Sequence, residues 1–260
     1  MAAPVLWHLK ASHYNEKARW ALDHKRVPHS RRAVTPGTHP LVAKVLTRGE
    51  TFPILVLDGR AVGDSSAIIA ELERRYPDRP LYPSDPDERR RALELEEFFD
   101  EELGPYSRML VMHHSLPDPD LWLAMFAPDV NRVRRAALRA AFPRLRAVIS
   151  KQFALDGGGV ERAFDKIRAA GERFRAEVGP SGHLVGDRFT VADLTLAALL
   201  SPPVAPDQFP YAQPQRGHPL FAPVHEALEE TGLLEWTRET YARHRHAQPA
   251  QDRHTAVTGR

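Results

Sequence analysis

The first eighty residues change repeatedly between apolar runs typical of strands and the apolar spacing typical of helices. The run at 5–7 predicts a buried strand, and from Ser12 onward apolar residues recur every three or four positions, which predicts a helix. Asp58 and Gly59 form the two-residue turn expected of a tight antiparallel hairpin. Further strands are predicted at 30–34, 53–57 and 60–62, and further helices at 40–46 and after Asp64. The order β-α-β-α-β-β-α predicts an α/β domain at the start of the chain.

The chain changes character at residues 76–86, which are rich in proline and have little regular pattern. Such a composition is typical of a connector between domains. Asp85 then has the position of a helix cap, with Pro86 first in a long helix and Glu88 completing a capping box. Helical spacing dominates the rest of the chain, at 118–125, 130–153, 160–178, 191–200 and 218–243. The sequence therefore predicts a second, all-α domain built as a helical bundle.

Composition narrows the chemistry more than charge does. The 260 residues contain no cysteine, which excludes disulfides, cysteine-ligated metals and a cysteine nucleophile. The formal net charge of only +2 gives no support to a nucleic-acid partner. No apolar run is long enough to cross a bilayer and residues 1–10 lack a basic leader, so we expect a cytoplasmic protein without a membrane partner. The thirteen histidines lack the H-E-x-x-H spacing of a zinc site, so no metal is predicted.

Four segments carry a resemblance to a known family. Residues 12–22 read S-H-Y-N-E-K-A-R-W-A-L and are similar to the S-P-Y-S-x-K-V-R-W-A-L run of bacterial glutathione transferases. T-F-P-I-L at 51–55 resembles the family's T-V-P-V-L, and G-D-S-S-A-I-I at 63–69 resembles its E-S-x-A-I segment. The stretch from His183 to Asp193 resembles the start of a helix in the family's second domain, where Thr190 and Asp193 are expected to form a structural capping box.

The resemblance to the glutathione transferase superfamily implies an α/β thioredoxin-like N-terminal domain at 1–80 and an all-α helical-bundle domain at 86–247. A tail at 248–260 is expected to be disordered. The resemblance also implies glutathione as cosubstrate, a small electrophile as the second substrate, and a homodimer. The preference for arginine over lysine suggests a GC-rich bacterial source. Because some such bacteria use other low-molecular-weight thiols, the identity of the native thiol stays open.

Ser12 is the predicted catalytic residue. It lies where the first strand ends and the first helix begins, so its hydroxyl and the unpaired N–H groups of the helix converge on a spot that suits an anion. A thiol with an ordinary pKa of about 8.5 is only a small fraction thiolate at neutral pH. The resemblance implies that Ser12 donates to the glutathione sulfur and raises that fraction. The alternative is that Ser12 serves only as a helix cap.

Other residues are assigned to glutathione by the resemblance. Phe52 is predicted to bind the cysteinyl part through its backbone, which a cis bond to Pro53 exposes, although its ring could equally be one more core aromatic. Asp64 and Ser65 begin a helix and are assigned to the γ-glutamyl end, with Asp64 meeting the ammonium. The candidates for the glycyl carboxylate are His39 and Lys44.

A pocket for the electrophile is predicted by analogy, because the first helix of the second domain faces the thiol site in this architecture. Its candidate residues are Tyr106, Met109, Leu110 and His113. His13, a further candidate for this pocket, stands where the family has proline, and it either assists proton transfer at the neighbouring thiol site or is a partly exposed residue at a variable position. Tyr14 lies on the apolar stripe of its helix and is expected to pack in the core.

Taken as a whole, the resemblance predicts an enzyme that conjugates glutathione, or a related thiol, to a small electrophile, with detoxification as the implied role. Glutathione-dependent isomerisation is an alternative reaction. A ligand-binding protein of the same fold without turnover is the second alternative.

Overall fold

A computed structural model describes residues 3–34, 39–155 and 158–246, together with the backbone of 251–252. Its strands are β1 (Val5–His8), β2 (Ser30–Ala33), β3 (Ile54–Leu57), β4 (Arg60–Gly63) and the two-residue β5 (Gln251–Asp252). They form one mixed sheet in the order β4-β3-β1-β2-β5. β1 runs parallel to β2 and antiparallel to β3, so that Leu6 lies opposite Arg31 on one side and Leu55 on the other. The predicted hairpin is confirmed, since β3 and β4 pair antiparallel.

Three helices cover this sheet: α1 (His13–His24), α2 (His39–Thr47) and α3 (Ser65–Arg75). Successive side chains of a strand point to opposite faces, and β1 shows the result. Leu6 is fully buried in the core that includes α1 and α3, whereas Trp7 packs in a separate cluster with α2. The predicted order β-α-β-α-β-β-α is confirmed, and it is the thioredoxin-like arrangement that the resemblance implied.

The second domain is helical, as predicted. Its helices are α4 (Pro86–Glu102), α5 (Gly104–Ser115), α6 (Pro119–Phe126), α7 (Arg132–Gln152), α8 (Gly159–Glu177), α9 (Val191–Val204), α10 (Ala222–Thr231) and α11 (Leu233–His244), with a 3₁₀ turn at Pro219–Phe221. Helix α9 lies at the centre and is buried along its whole length. The predicted capping box is present at its start, where Asp193 accepts from the backbone N–H of Thr190 at 2.8 Å.

Two predicted helices are each divided in the structure. The long helix that begins after Asp85 ends at Glu102, and α5 starts at Gly104, followed by a proline that lacks the N–H needed to continue a helix. The segment predicted as one helix at 218–243 is divided at Gly232, whose positive φ of 79° ends α10.

The two domains share one hydrophobic core. Helix α1 packs against α9, and Trp20 lies in this interface, with its ring 4.4 Å from that of Tyr241 and 5.5 Å from that of Phe189. The main buried cluster runs without a break from Leu6 of β1 to Tyr241 of α11. The proline-rich connector therefore separates an α/β region from an all-α region, but the two regions share one hydrophobic core.

Part of the tail predicted to be disordered contributes to the sheet, because residues 251–252 pair in parallel with β2. The other residues of 248–260 lie outside the described part of the chain. Among the helices described, none combines the length and the apolar character that crossing a membrane requires.

Candidate active site

Ser12 lies half-buried in the loop between β1 and α1, with the extended backbone of a helix cap at φ −85° and ψ 129°. Its carbonyl oxygen accepts the first helical hydrogen bond, from the N–H of Glu16 at 3.0 Å. Its hydroxyl makes no capping bond to the helix backbone, and accepts instead from the side-chain amide Nδ2 of Asn15 at 2.7 Å. The N–H groups at the start of an α-helix have no partner within the helix and carry partial positive charge. The hydroxyl and this helix end lie together, as the sequence predicts.

Arg19 fixes the loop that carries Ser12. This arginine is fully buried two turns further along α1, and its guanidinium donates to the backbone carbonyls of Leu9 at 3.1 Å, Lys10 at 3.2 Å and Ser12 at 3.3 Å. The planar guanidinium presents five N–H donors in a rigid fork, so one side chain can hold several carbonyls at once. The position of Ser12 is therefore set by a buried charge in the helix behind it.

A cluster of buried ions surrounds Arg19. Its Nε donates to Glu16 at 2.7 Å, and the other oxygen of Glu16 accepts from Arg245 at 2.6 Å. Arg245 also bonds Asp23 at 2.8 Å, and Arg31 reaches the same Asp23 oxygen at 2.7 Å. Burial would by itself raise the pKa of Glu16, but the charges of Arg245 and Arg19 hold it below its ordinary value. These five side chains join both domains beneath the Ser12 loop.

The bond between Phe52 and Pro53 is cis, as the resemblance implied. The Phe52 side chain is 8% exposed and packs with Ala43 and Ile54 in the cluster under α2. Its ring is thus a core aromatic, the alternative that the sequence left open, while the binding role of its backbone stays a prediction. Pro53 is buried beside it.

Asp64 and Ser65 lie at the start of α3, as predicted. Asp64 is exposed, caps the helix by accepting from the N–H of Ala67 at 3.0 Å, and has an unusual positive φ of 72°. A non-glycine residue in this backbone region is strained and persists there only because the surrounding structure holds it, and such strain is concentrated at functional sites. Ser65 is 2% exposed. Their assignment to the γ-glutamyl end stays a prediction.

Next to this helix start, a buried lysine joins three helices. Lys17 of α1 has no exposed surface, and its ammonium lies 2.7 Å from the Ser66 hydroxyl of α3 and 2.5 Å from the Asp100 carboxylate of α4. Ser66 also donates to Asp100 at 2.9 Å, and Glu96 lies 2.9 Å from the same ammonium. The network holds the start of α3 in a fixed position relative to α1.

The two candidates for the glycyl carboxylate lie on α2. Lys44 is exposed near the end of this helix, and His39 is half-buried at its start, with its ring centroid 6.2 Å from that of Phe52. Partial burial lowers the pKa of His39. Their role in binding stays a prediction.

His13 and Leu110 do not line an accessible pocket, which corrects two of the predicted pocket residues. His13 is 2% exposed and its Nε2 donates to the carbonyl of Gly104 at 2.8 Å. Burial, followed by the charge of Arg108, lowers the pKa of His13 to about 3, so it is a neutral structural donor and not a partly exposed acid or base. Leu110 has no exposed surface because it points into the main core.

The other three predicted pocket residues are half-buried along α5: Tyr106, Met109 and His113. Lys166 of α8 lies 5.6 Å from the centroid of the Tyr106 ring. Burial lowers the pKa of His113, with a smaller opposing effect of Glu161. Their part in binding an electrophile stays a prediction.

Tyr14 packs against the main core, as expected, and its hydroxyl donates to the backbone carbonyl of Asp100 at 2.8 Å. Burial and the nearby Asp100 carboxylate raise the pKa of Tyr14. Its proton is therefore committed to α4, whereas the Ser12 hydroxyl accepts from Asn15.

Two cavities in the described structure lie away from this site. One of about 530 Å³ lies between the 204–208 loop and α11, and another of about 670 Å³ lies between residues 3–4 and Tyr76. Neither is lined by Ser12, Phe52 or Asp64.

The sequence analysis missed Asn15, Arg19 and Arg245. Asn15 and Arg19 lie on α1, which was predicted from its stripe of apolar residues. Its polar side chains were therefore expected on the surface and not in the interior. In the structure the four ionisable or amide side chains among the five positions from Asn15 to Arg19 are all buried, which their sequence spacing does not indicate. Arg245 had no local signal, because its partners lie more than two hundred positions earlier.

Both the sequence and the fold of this chain are similar to those of known proteins. Residues 6–80 match the family described as glutathione S-transferase, N-terminal domain. A glutathione S-transferase of Triticum aestivum is 36% identical over 84 residues, which are 32% of this chain and only 39% of that protein. The matched part of the chain thus spans less than half the length of this curated relative.

The likeness in fold extends over nearly the whole chain. A solved glutathione S-transferase from Rhodospirillum rubrum F11 has a TM-score of 0.60 at 21% identity, covering 92% of this chain and 88% of that one. The structure of maleyl pyruvate isomerase, a bacterial glutathione S-transferase in the Zeta class, has a TM-score of 0.56 at 23% identity, covering 95% of this chain and 99% of that one. Residues 6–80 thus match the sequence of a glutathione S-transferase N-terminal domain, and the fold of nearly the whole chain is similar to that of solved glutathione S-transferases.

Proposed function

We propose that this protein is a glutathione transferase-like enzyme in which Ser12 stabilises the thiolate of glutathione for attack on a small electrophile. The observation that supports this most is the hydrogen bonding of the Ser12 hydroxyl. Its oxygen accepts from Asn15 and makes no bond to cap the helix, so its proton is available to a bound sulfur at the helix start. A hydrogen bond to a charged acceptor at a positive helix end favours the anion.

The energy required of Ser12 is modest. Lowering the pKa of a thiol by one unit takes about 1.4 kcal/mol of preferential interaction with the thiolate. A hydrogen bond to a charged group contributes about 1.5–3 kcal/mol, and the helix end adds to it. One hydroxyl and the first turn of α1 are therefore sufficient for the proposed role.

The remaining contacts to glutathione are proposed from the helix and strand ends around Ser12. The backbone at Phe52 and Pro53 would hold the cysteinyl part, and Asp64 with Ser65 would hold the γ-glutamyl end. The Lys17 network supports the second assignment, because it fixes the start of α3 through Ser66. His39 or Lys44 would meet the glycyl carboxylate.

The test is conjugation of glutathione to chlorodinitrobenzene by the wild type and by Ser12→Ala. We expect kcat/KM at neutral pH to fall by at least about tenfold, since the variant loses a hydrogen bond to a charged sulfur. Ser84→Ala, which removes an exposed hydroxyl in the connector, is the matched control and is expected to keep full activity. Full activity of Ser12→Ala would contradict the proposal.

Calorimetry with glutathione and with other low-molecular-weight thiols identifies the cosubstrate. Tight binding of glutathione without turnover of any electrophile would favour the ligand-binding protein over the enzyme. The homodimer is part of the proposal on the resemblance alone, and light scattering of the purified chain tests it.

A further inference from the structure

The side chain of Asn15 has only one possible orientation. Its Oδ1 lies 3.0 Å from the backbone nitrogen of Leu9, and an N–H can only donate, so the atom that faces Leu9 must be the amide oxygen. The amide nitrogen then faces the Ser12 hydroxyl at 2.7 Å. Asn15 is the third residue of α1 and its side chain has no exposed surface.

This orientation determines which way the Ser12 proton points. The amide nitrogen of Asn15 has protons to give and no lone pair to offer, so Ser12 must be the acceptor in the bond between them. Its own proton is excluded from that direction and is left for another acceptor. A serine that capped the helix in the ordinary way would accept from a backbone N–H, and here the side chain of Asn15 replaces that bond.

We propose that Asn15 is a positioning residue, which holds the Ser12 hydroxyl as an acceptor on the helix side so that its proton is directed at the bound thiolate. The inference rests on the proposed role of Ser12 and adds to it the group that orients the hydroxyl. Asn15 itself touches neither substrate, because it is buried behind Ser12. The same amide fixes the loop by accepting from Leu9, so one side chain joins the start of the loop to its reactive end.

The decisive variant is Asn15→Asp, which keeps the size of the side chain and its acceptor for Leu9. A carboxylate in place of the amide nitrogen accepts where the amide donated, so the Ser12 proton turns towards residue 15 and away from the sulfur. We expect kcat/KM at neutral pH to fall about tenfold, and the pH profile of kcat/KM at saturating glutathione to move to higher pH by about one unit. Asn15→Ala, which only frees the hydroxyl to rotate, is expected to give a smaller fall of about threefold.

The same substitutions in a Ser12→Ala background separate positioning from structure and from added charge. If Asn15 acts through the hydroxyl, each substitution should change activity by less than about twofold once that hydroxyl is absent. Equal losses in both backgrounds, or an unshifted pH profile of Asn15→Asp, would overturn the inference. Thermal melting of each variant shows whether it is folded, and Asn15→Ala carries the comparison if Asn15→Asp is not.

Failure of the proposed function gives a different result. If Ser12→Ala alone leaves the activity and its pH profile unchanged, Ser12 is not the thiolate donor, and the role of Asn15 falls with it. If Ser12→Ala has the expected effect while the Asn15 variants do not depend on Ser12, only the positioning role is refuted.

Discussion

At the position next to Ser12, a buried imidazole joins the two domains. The Nε2 of His13 donates to Gly104 at the start of α5, and Gly104 is packed so closely against α1 that a side chain there would overlap the Tyr14 hydroxyl. The family's proline at this position has no side-chain donor, so this chain uses a different connection between α1 and α5. The histidine contributes to stability only in its neutral form.

We predict that His13 makes the protein sensitive to acid. Its pKa is about 3 when folded, below the ordinary value of 6.5, so the unfolded chain binds the proton more readily. The contribution of His13 is complete above pH 6.5 and is lost, by about 1.4 kcal/mol per pH unit, as the pH falls towards the folded value. His13→Gln keeps a donor for Gly104 but cannot be protonated. Urea denaturation at pH 7 and pH 5 should show that the variant loses about 2 kcal/mol less than the wild type.

Other partly buried histidines also make the protein less stable in acid, in the wild type and in the variant alike. The quantity to compare is therefore the loss of stability between pH 7 and pH 5 in each of the two proteins. Burial also lowers the pKa of His24 and of His244 to about 4. Equal losses of stability in wild type and His13→Gln between the two pH values would show that His13 is not protonated on unfolding.

The individual site residues were predictable to different degrees. Ser12 and Pro53 follow from segments that match a family pattern, and the cis bond at Pro53 is as that pattern implies. Asn15 and Arg19 were not predicted as site residues, because a polar residue on an amphipathic helix is ordinarily exposed to solvent. Their burial depends on neighbours that only the folded chain supplies.

At the level of elements, the start of α9 depends on one carboxylate. Asp193 has no exposed surface and accepts from the backbone N–H groups of Leu184 at 2.8 Å and Thr190 at 2.8 Å, and from the Thr190 hydroxyl at 2.9 Å. Helix α9 is the central helix of the second domain and packs against α1. The cap therefore holds the element on which both domains are assembled.

We predict that Asp193→Ala lowers the free energy of unfolding by about 3 kcal/mol, because it leaves buried donors without an acceptor. Asp187→Ala removes an exposed carboxylate from the same loop and should change stability by less than about 0.5 kcal/mol. Chemical denaturation of both variants measures the difference. A loss at position 193 no larger than at position 187 would contradict the assigned role of the cap.

The elements of the first domain were predictable because each has a clear period of its own, and the strands and helices lie within a few residues of their predicted positions. The two divided helices of the second domain were not predicted, although both breaks carry a signal. Gly104 precedes a proline, and Gly232 has the positive φ for which glycine is suited. Apolar periodicity continues across both breaks and concealed them.

At the scale of the whole molecule, Arg245 connects the end of α11 to α1. It is 2% exposed and bonds both Glu16 and Asp23, which are buried in the first domain. Two acidic groups thus share a cation supplied from the other end of the chain. The position of the cluster behind the Ser12 loop links the second domain to the candidate site.

We predict that Arg245→Ala lowers the free energy of unfolding by about 3–5 kcal/mol, because removing one member of a buried ion cluster leaves the others uncompensated. Arg243→Ala is the matched control on the same helix, since its exposed pair with Glu239 should be worth less than about 1 kcal/mol. Thermal and urea denaturation measure both. Similar losses in the two variants would show that the cluster does not depend on Arg245.

The position of Arg245 also bears on the order in which the chain can fold during its synthesis. Glu16 has one cation, Arg19, three positions away, but its second cation, Arg245, is synthesised only 229 positions later. Until then the nascent first domain contains acidic groups that would have to be buried without their full complement of charge. Its early strands and helices can form, but closure of the interior around these acidic groups must wait until α11 and Arg245 have emerged.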